Sequence, residues 1–483
     1  MSSVAVPVMD LARLQSRRFF AKGITIAIVS GLLYALYSAF IIGAEGTGIW
    51  ADWFGEQSGL AVFVQVYVLG MLACGLNDSL SAIWALGLVG LRGKLVDLWR
   101  SIRSKPGMVM VICAIIGGPV ANGAYLIALK LAGPSAAPIT ALCPVVGAVI
   151  GRVVFKQAIN GRMAAGIAIC LTASLMIGST SLEADAPPTM LAGLLIALVA
   201  AVGWGIEGAV AGYGTVLIDY QIGITIRQLT SGLLSLGLFV PVLCLMAGGD
   251  GLYGQVLGGA LSDPRSLGLF AISALFCFLS FGLWYRGNSM CGTALGMACN
   301  GSYSFWTPLF CWLVLGIGFG WADQAVAPIV WLAAPVMFVG LVLVAVNPLE
   351  LFGRPASLFR DVEIVPQPSG QDIQEEPQPL TGRILPLNYA VLRRVAEQGT
   401  ADADGLMNAL AASYGERRVF RRELIGEALA AAEKNGVLEV SGIGLNSDGQ
   451  VAIHYKTTPT GQTMIERFIG LSASLAAWPG AGA

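Results

Sequence analysis

Ten stretches of nearly unbroken apolar residues run through the first three-quarters of the chain, near positions 21–44, 59–91, 107–129, 134–154, 161–178, 190–214, 222–246, 266–286, 292–315 and 326–347. A hydrocarbon layer about 30 Å thick takes about 20 such residues per helix. With no water to satisfy the backbone, helices are the natural spanning element. The pattern predicts an all-α integral membrane bundle of ten transmembrane helices. Past residue 353 the long runs stop and short periodic ones take over, the pattern of a small separate domain.

Charge sharpens this division. The whole chain is 56% hydrophobic and 12% charged with net charge -1, which excludes a strongly basic nucleic-acid binder as its overall identity. Residues 1–353 carry 30 charges and residues 354–483 carry 27, so the body is depleted of charge and the tail is not. Residues 1–20 read as a cytoplasmic N-terminus. Arg13, Arg17, Arg18 and Lys22 precede the first apolar stretch with no cleavage site after it, which marks an uncleaved first span.

Lys and Arg are retained on the cytoplasmic side. With both termini cytoplasmic, 14 of the body's 16 basic residues, Arg227 and Arg286 among them, fall inside, and Lys130 and Arg265 fall outside. Eight acidic residues fall outside and four inside. Asp78 and Glu207 are left over within apolar stretches. The expected location is the plasma or inner membrane, with the lipid bilayer as the first partner.

The nine cysteines lie in or at the ends of apolar stretches, where thiols pack as small hydrophobes. The sole histidine, His454, is in the tail, so no histidine cluster serves the membrane part. No metal site, cofactor motif or pair of carboxylates at catalytic spacing is visible, and no enzyme is expected.

Residues 29–39 can be laid on 199–209 at an offset of 170, matching Tyr34 to Trp204 and Tyr37 to Glu207. Tyr125 and Tyr285, and Pro144 and Pro308, echo at offsets of 160 and 164. Five spans is an odd number, so a second copy would insert upside down, as in many secondary transporters. The two repeats would occupy 21–178 and 190–347. The stretch from Tyr125 to Gly178 resembles the EamA-type repeat of the drug/metabolite transporter superfamily in pattern, spacing and span count, although Lys156 stands near the place where family members often have a glutamate. The resemblance implies two inverted five-helix halves, a central cavity and transport of a small organic solute, from amino acids and sugars to drugs.

An ionisable side chain inside a span costs about 2.5–3.5 kcal/mol on insertion scales and is a functional candidate by default. Asp78 and Glu207 are therefore candidates for substrate binding or proton coupling. Asp78 has an alternative reading: residues 59–91 would make a helix about 50 Å long, and Asn77-Asp78 would cap a break in it. Asn122, beside Gly117-Gly118-Pro119, and Asn300 are buried amides that need partners. Tyr34, Tyr37, Trp204, Tyr303 and Trp306 either line a pocket or pack the bundle. Pro119, Pro138, Pro144 and Pro308 are expected to kink their helices.

The tail divides into a flexible linker over 354–383, rich in Pro, Gln and acidic residues, a domain over 384–470 and a final segment over 471–483. Helices are expected over 387–398, 404–414 and 417–435, then a hairpin across 446–449 and a last helix from about 460. The order resembles a winged-helix domain of the bacterial regulator type, so the fold includes a small α+β winged-helix-like cytoplasmic unit. Arg417, Arg418, Arg421 and Arg422 cluster where recognition helices meet phosphate. The tail's net charge of -3 argues against nucleic acid as its partner and ranks a regulatory or interaction module first. The leading expectation is a secondary transporter with such an appendage. The alternative is a membrane-anchored sensor or transcription regulator that binds a ligand without moving it.

Overall fold

The computed structural model describes residues 5–55, 57–154, 161–179, 188–249, 251–321, 328–345, 363–364, 384–415, 417–446 and 449–470. Among the described residues, six helical stretches are long and apolar enough to cross a membrane: Val8–Glu45, Val64–Leu91, Lys105–Thr140, Met190–Val210, Tyr220–Met246 and Pro264–Cys291. Two shorter apolar helices, Gly161–Ile177 and Pro328–Val344, accompany them.

In chain order the body contains α1 (Ala5–Glu45), α2 (Gly48–Phe54), α3 (Leu69–Leu91), α4 (Leu95–Ile102), α5 (Lys105–Ile115), α6 (Gly123–Ala132), α7 (Ala136–Thr140), α8 (Cys143–Val154) and α9 (Gly161–Ser179). It continues with α10 (Met190–Leu217), α11 (Tyr220–Leu234), α12 (Val240–Met246), α13 (Leu252–Ser262), α14 (Pro264–Cys291), α15 (Thr293–Asn300), α16 (Tyr303–Cys311) and α17 (Pro328–Ala345). Local chemistry sets several starts. Ser104 caps α5 through the Gly107 amide, and Asp219 caps α11 through the amides of Gln221 and Ile222. Asp263 caps α14, with Pro264 in its first turn. Each cap satisfies donors that a helix N-terminus leaves open.

Among the described residues, wider π turns occur at Val64–Val68, Ile116–Asn122, Ser235–Phe239 and Trp312–Gly318. The second contains Pro119, whose missing N–H breaks the regular ladder. Pro119 thus sits inside a π turn, and Pro308 lies inside α16.

Each long helix packs on a few others: α1 on α14 and α16, α10 on α6 and α8, α3 on α11, α9 on α17. Small residues allow the closest crossings. A Cβ on Gly166 would sit 2.8 Å from the Gly340 carbonyl oxygen, so α9 and α17 meet backbone to backbone. Two expectations change here. The first helix begins at Ala5, so most of residues 1–20 extends α1 instead of forming a separate segment. Asp78 lies in the interior of an unbroken α3 and caps nothing.

The tail folds as three helices (Leu387–Gln398, Ala403–Tyr414, Arg422–Lys434), strands β2 (Leu438–Leu445) and β3 (Val451–Thr457), and a last helix, Pro459–Phe468. β2 and β3 pair antiparallel with Ile443 opposite Ile453. Within the expected linker, Glu363–Ile364 forms a two-residue strand, β1, parallel to β2 at Gly442 and Ile443. The third helix starts five residues later than expected, at Arg422. Val395, Leu406, Leu410, Ile425, Leu429 and Ile465 are buried in the tail's core.

Candidate functional site

Three ionisable side chains are fully buried where α3, α10 and α11 meet: Asp78, Glu207 and Arg227. Arg227 Nε donates to Glu207 Oε1 at 2.8 Å. The guanidinium also donates to Gln228 Oε1 and to the Gly117 carbonyl, each at 2.9 Å, and stacks 3.7 Å over the Phe281 ring. Tyr285 gives Glu207 Oε1 a second hydrogen bond at 2.8 Å. Trp204 Nε1 donates to the same Gly117 carbonyl at 3.0 Å.

Two glycines in the π turn make room for this network. A Cβ on Gly117 would fall 1.8 Å from Glu207 Oε2, and one on Gly118 would fall 2.4 Å from Ser231 Oγ. Glu207 Oε2 itself has no hydrogen-bond partner.

Asp78 is held differently. Asn122 Nδ2 donates to both of its carboxylate oxygens at 3.1 Å, and Ser231 Oγ donates to Oδ2 at 2.5 Å. Tyr37 OH donates to Asn122 Oδ1 at 3.2 Å, so Tyr37, Asn122 and Asp78 form one chain of polar contacts. The neighbouring Asn77 accepts from Ser273 of α14 at 2.9 Å. All of Asp78's oxygen and nitrogen donors are neutral, whereas Glu207 has a direct cation.

The aromatic residues form a wall beside this centre. Tyr34 lies 4.6 Å from Tyr303, 5.2 Å from Tyr37 and 5.8 Å from Trp204, ring centroid to centroid. Tyr34, Cys143, Trp204, Ser280, Phe281, Trp284, Asn300 and Tyr303 enclose an internal pocket of about 10 Å³. That volume is too small for more than a water, so the described residues leave no solute-sized space beside this wall. Trp284 Nε1 is buried without a hydrogen-bond partner. Asn300 donates to Ser30 Oγ at 2.8 Å.

The structure thus brings together Asp78, Glu207, Asn122, Asn300, Tyr34, Tyr37, Trp204 and Tyr303. Trp306 stands apart: it is half-buried and packs on Phe305 and Phe310 of its own helix. Arg227 is the principal correction, because it had been counted among the loop charges that mark the cytoplasmic side. It lies inside the seventh apolar stretch, and the rule that singled out Asp78 and Glu207 applies to it equally. Ser231 has no signal in sequence, since a serine does not stand out in an apolar run, and Tyr285 is marked there only as the echo of Tyr125.

The four tail arginines do not act as one face. Arg417 pairs with Asp97 of α4 at 3.0 Å, and Arg422 pairs with Asp404 of the tail's second helix at 2.5 Å. Arg418 and Arg421 are exposed. Burial pushes the Asp97 carboxyl up from its ordinary range against the pull of Arg417 and Arg100. Where the tail meets the body, Lys94 and Asp219 pair at 2.6 Å beside a cavity of about 110 Å³.

No family model matches the chain, and no curated protein sequence does. Among solved structures, one titled "Crystal structure of protein" is similar at 16% identity and a TM-score of 0.45, covering 70% of this chain and 98% of its own.

Proposed function

We propose that the protein is a secondary transporter of a small organic solute, built on an EamA-like plan of ten spans in two inverted halves. The observation that carries this reading is the centre, where Asp78 and the Glu207–Arg227 pair lie fully buried beside an aromatic pocket. Buried charge is costly in a bilayer and is kept where solutes or protons pass. The helix pairings support the inverted plan. With the halves exchanged, α1 on α14 answers α10 on α6, and α1 on α16 answers α10 on α8, while α3 with α11 and α9 with α17 map onto themselves. The cytoplasmic assignment of the tail is supported by the end it docks on, which carries Lys22, Asp97 and Arg286.

In this reading Tyr34, Trp204, Asn300 and Tyr303 contact the solute as the pocket widens. Asp78, the carboxylate without a contacting cation, takes and releases the coupling proton, and Arg227 keeps Glu207 compensated throughout. The test is to compare metabolite uptake and efflux in cells with and without the protein, then repeat the responding flux with Asp78→Asn across pH. A correctly inserted Asp78→Asn variant should lose its dependence on a proton gradient. Unchanged flux at every pH would remove Asp78 from the cycle.

The winged-helix-like order of the tail and its contacts with the body favour a second reading, a sensor whose spans bind a ligand without moving it. Purified protein in sealed vesicles separates the two, because a sensor binds the solute on the vesicle but does not accumulate it inside.

A further inference from the structure

We infer that the tail domain is a clamp that holds the bundle closed at the end where it docks. One tail residue joins the two halves. Glu427 accepts from Lys22 of α1 at 3.1 Å and from Arg286 of α14 at 3.2 and 3.3 Å. Around it the tail grips both halves separately. Arg417 pairs with Asp97, and Tyr389 OH meets Ser104 Oγ at 3.0 Å, both on the first half. On the second half, Asn435 Nδ2 donates to the Ser289 carbonyl at 3.0 Å.

The clamp builds on the carrier reading, in which α4 of the first half must part from α14 of the second at this end before a solute can leave. A domain bonded to both opposes that movement. The chemistry of the seam also lets it release. Lys22 and Glu427 are more than a third exposed on their side chains, and pairs of that kind are individually weak. The Asp97 side chain is only 7% exposed, which makes its pairing with Arg417 the strongest single hold. Several weak contacts and one buried pair give a hold that can be broken without unfolding either part.

The native cysteines provide a readout that does not depend on flux. All nine are buried, among them Cys113 on α5 and Cys277 beside Asp78. In full-length protein in sealed vesicles, a membrane-impermeant maleimide is applied from the tail side and the modified residues are identified by mass spectrometry. A spin-label distance between tail and body is recorded in parallel. The variant Arg417→Asp with Glu427→Lys should lengthen that distance and speed labelling of Cys113 and Cys277 about tenfold, a change of about 1.4 kcal/mol in the opening equilibrium. Cys170, between α9 and α17, should stay unlabelled, which separates opening from unfolding. Asp97→Arg combined with Arg417→Asp should return labelling to the wild-type rate.

Two results overturn the clamp. Either the tail moves away and Cys113 and Cys277 remain as protected as before, or the tail stays docked despite both charge reversals. If labelling responds while no solute is found to move, the clamp stands and the carrier reading falls.

Discussion

Replacing Arg227 with methionine removes the cation that touches Glu207 among the described residues. The carboxylate would keep its hydrogen bond from Tyr285 but stay fully buried. Gln228 Oε1 would lose the donor Arg227, and the Gly117 carbonyl would lose the guanidinium while keeping its bond from Trp204. Removing one partner of a buried pair costs about 3–5 kcal/mol, whereas replacing both with apolar or neutral groups of similar size is often close to neutral. Arg227→Met and Glu207→Gln should therefore each destabilise the folded bundle by about 3–5 kcal/mol, and the double variant should recover most of the loss. The assay is denaturant unfolding of purified protein in detergent, followed by exposure of the buried thiols. A cycle of the four proteins isolates the coupling between the residues. Single-variant losses below about 0.5 kcal/mol, or losses that simply add in the double variant, would refute a compensated buried pair.

Gly117→Ala places a methyl group against Glu207 Oε2 and should cost about 1–3 kcal/mol by overpacking, seen as a lower unfolding midpoint. Gly237→Ala, with nothing within 4 Å of its added Cβ, is the control and should change little. In the tail, hydrogen bonds from Arg422, with help from Asn446, hold the Asp404 carboxyl below the usual carboxylate range. Stability from this group is present above the carboxyl's ordinary pKa and is lost as pH falls through its lower folded value. Hydrogen exchange of Ala403–Tyr414 in the full-length protein should accelerate on acidification below about pH 4. Asp404→Asn should already exchange faster at pH 7, by no more than about 1 kcal/mol for so exposed a pair, and should lose that acid response.

The body was legible in part, because a span is a statement about many residues at once: six helices among the described residues are long and apolar enough to cross a membrane. The apolar stretches at 107–129, 161–178, 190–214 and 266–286 lie within helices that extend them by at most a turn or so. The site was half legible. Asp78 and Glu207 stood out as charges in apolar surroundings, and Asn122 beside them as an amide in need of partners. Arg227 was hidden by its position near the start of its stretch, where an inward-facing arginine and a loop arginine look the same in one dimension. Ser231 and Tyr285 could be found only in three dimensions, because their roles come from which helices cross. Residues 5–20 are polar enough to lie outside the first apolar stretch, and their helical state is supported by the tail, whose Ile443 packs on Val8 and Ala12.

Helix α1 runs for 41 residues without a break, about 60 Å at 1.5 Å per residue and twice the thickness of a bilayer core. Its later turns place Tyr34 and Tyr37 in the aromatic wall, and its first turns lie against the tail hairpin. Its path has no hinge to absorb rotation. A tilt of about 10° at the centre would carry the far end about 5 Å over a 30 Å arm, enough to shear a packed contact such as Val8 on Ile443. A tilt of α1 within the bundle thus becomes a displacement at the tail hairpin through the geometry of one helix.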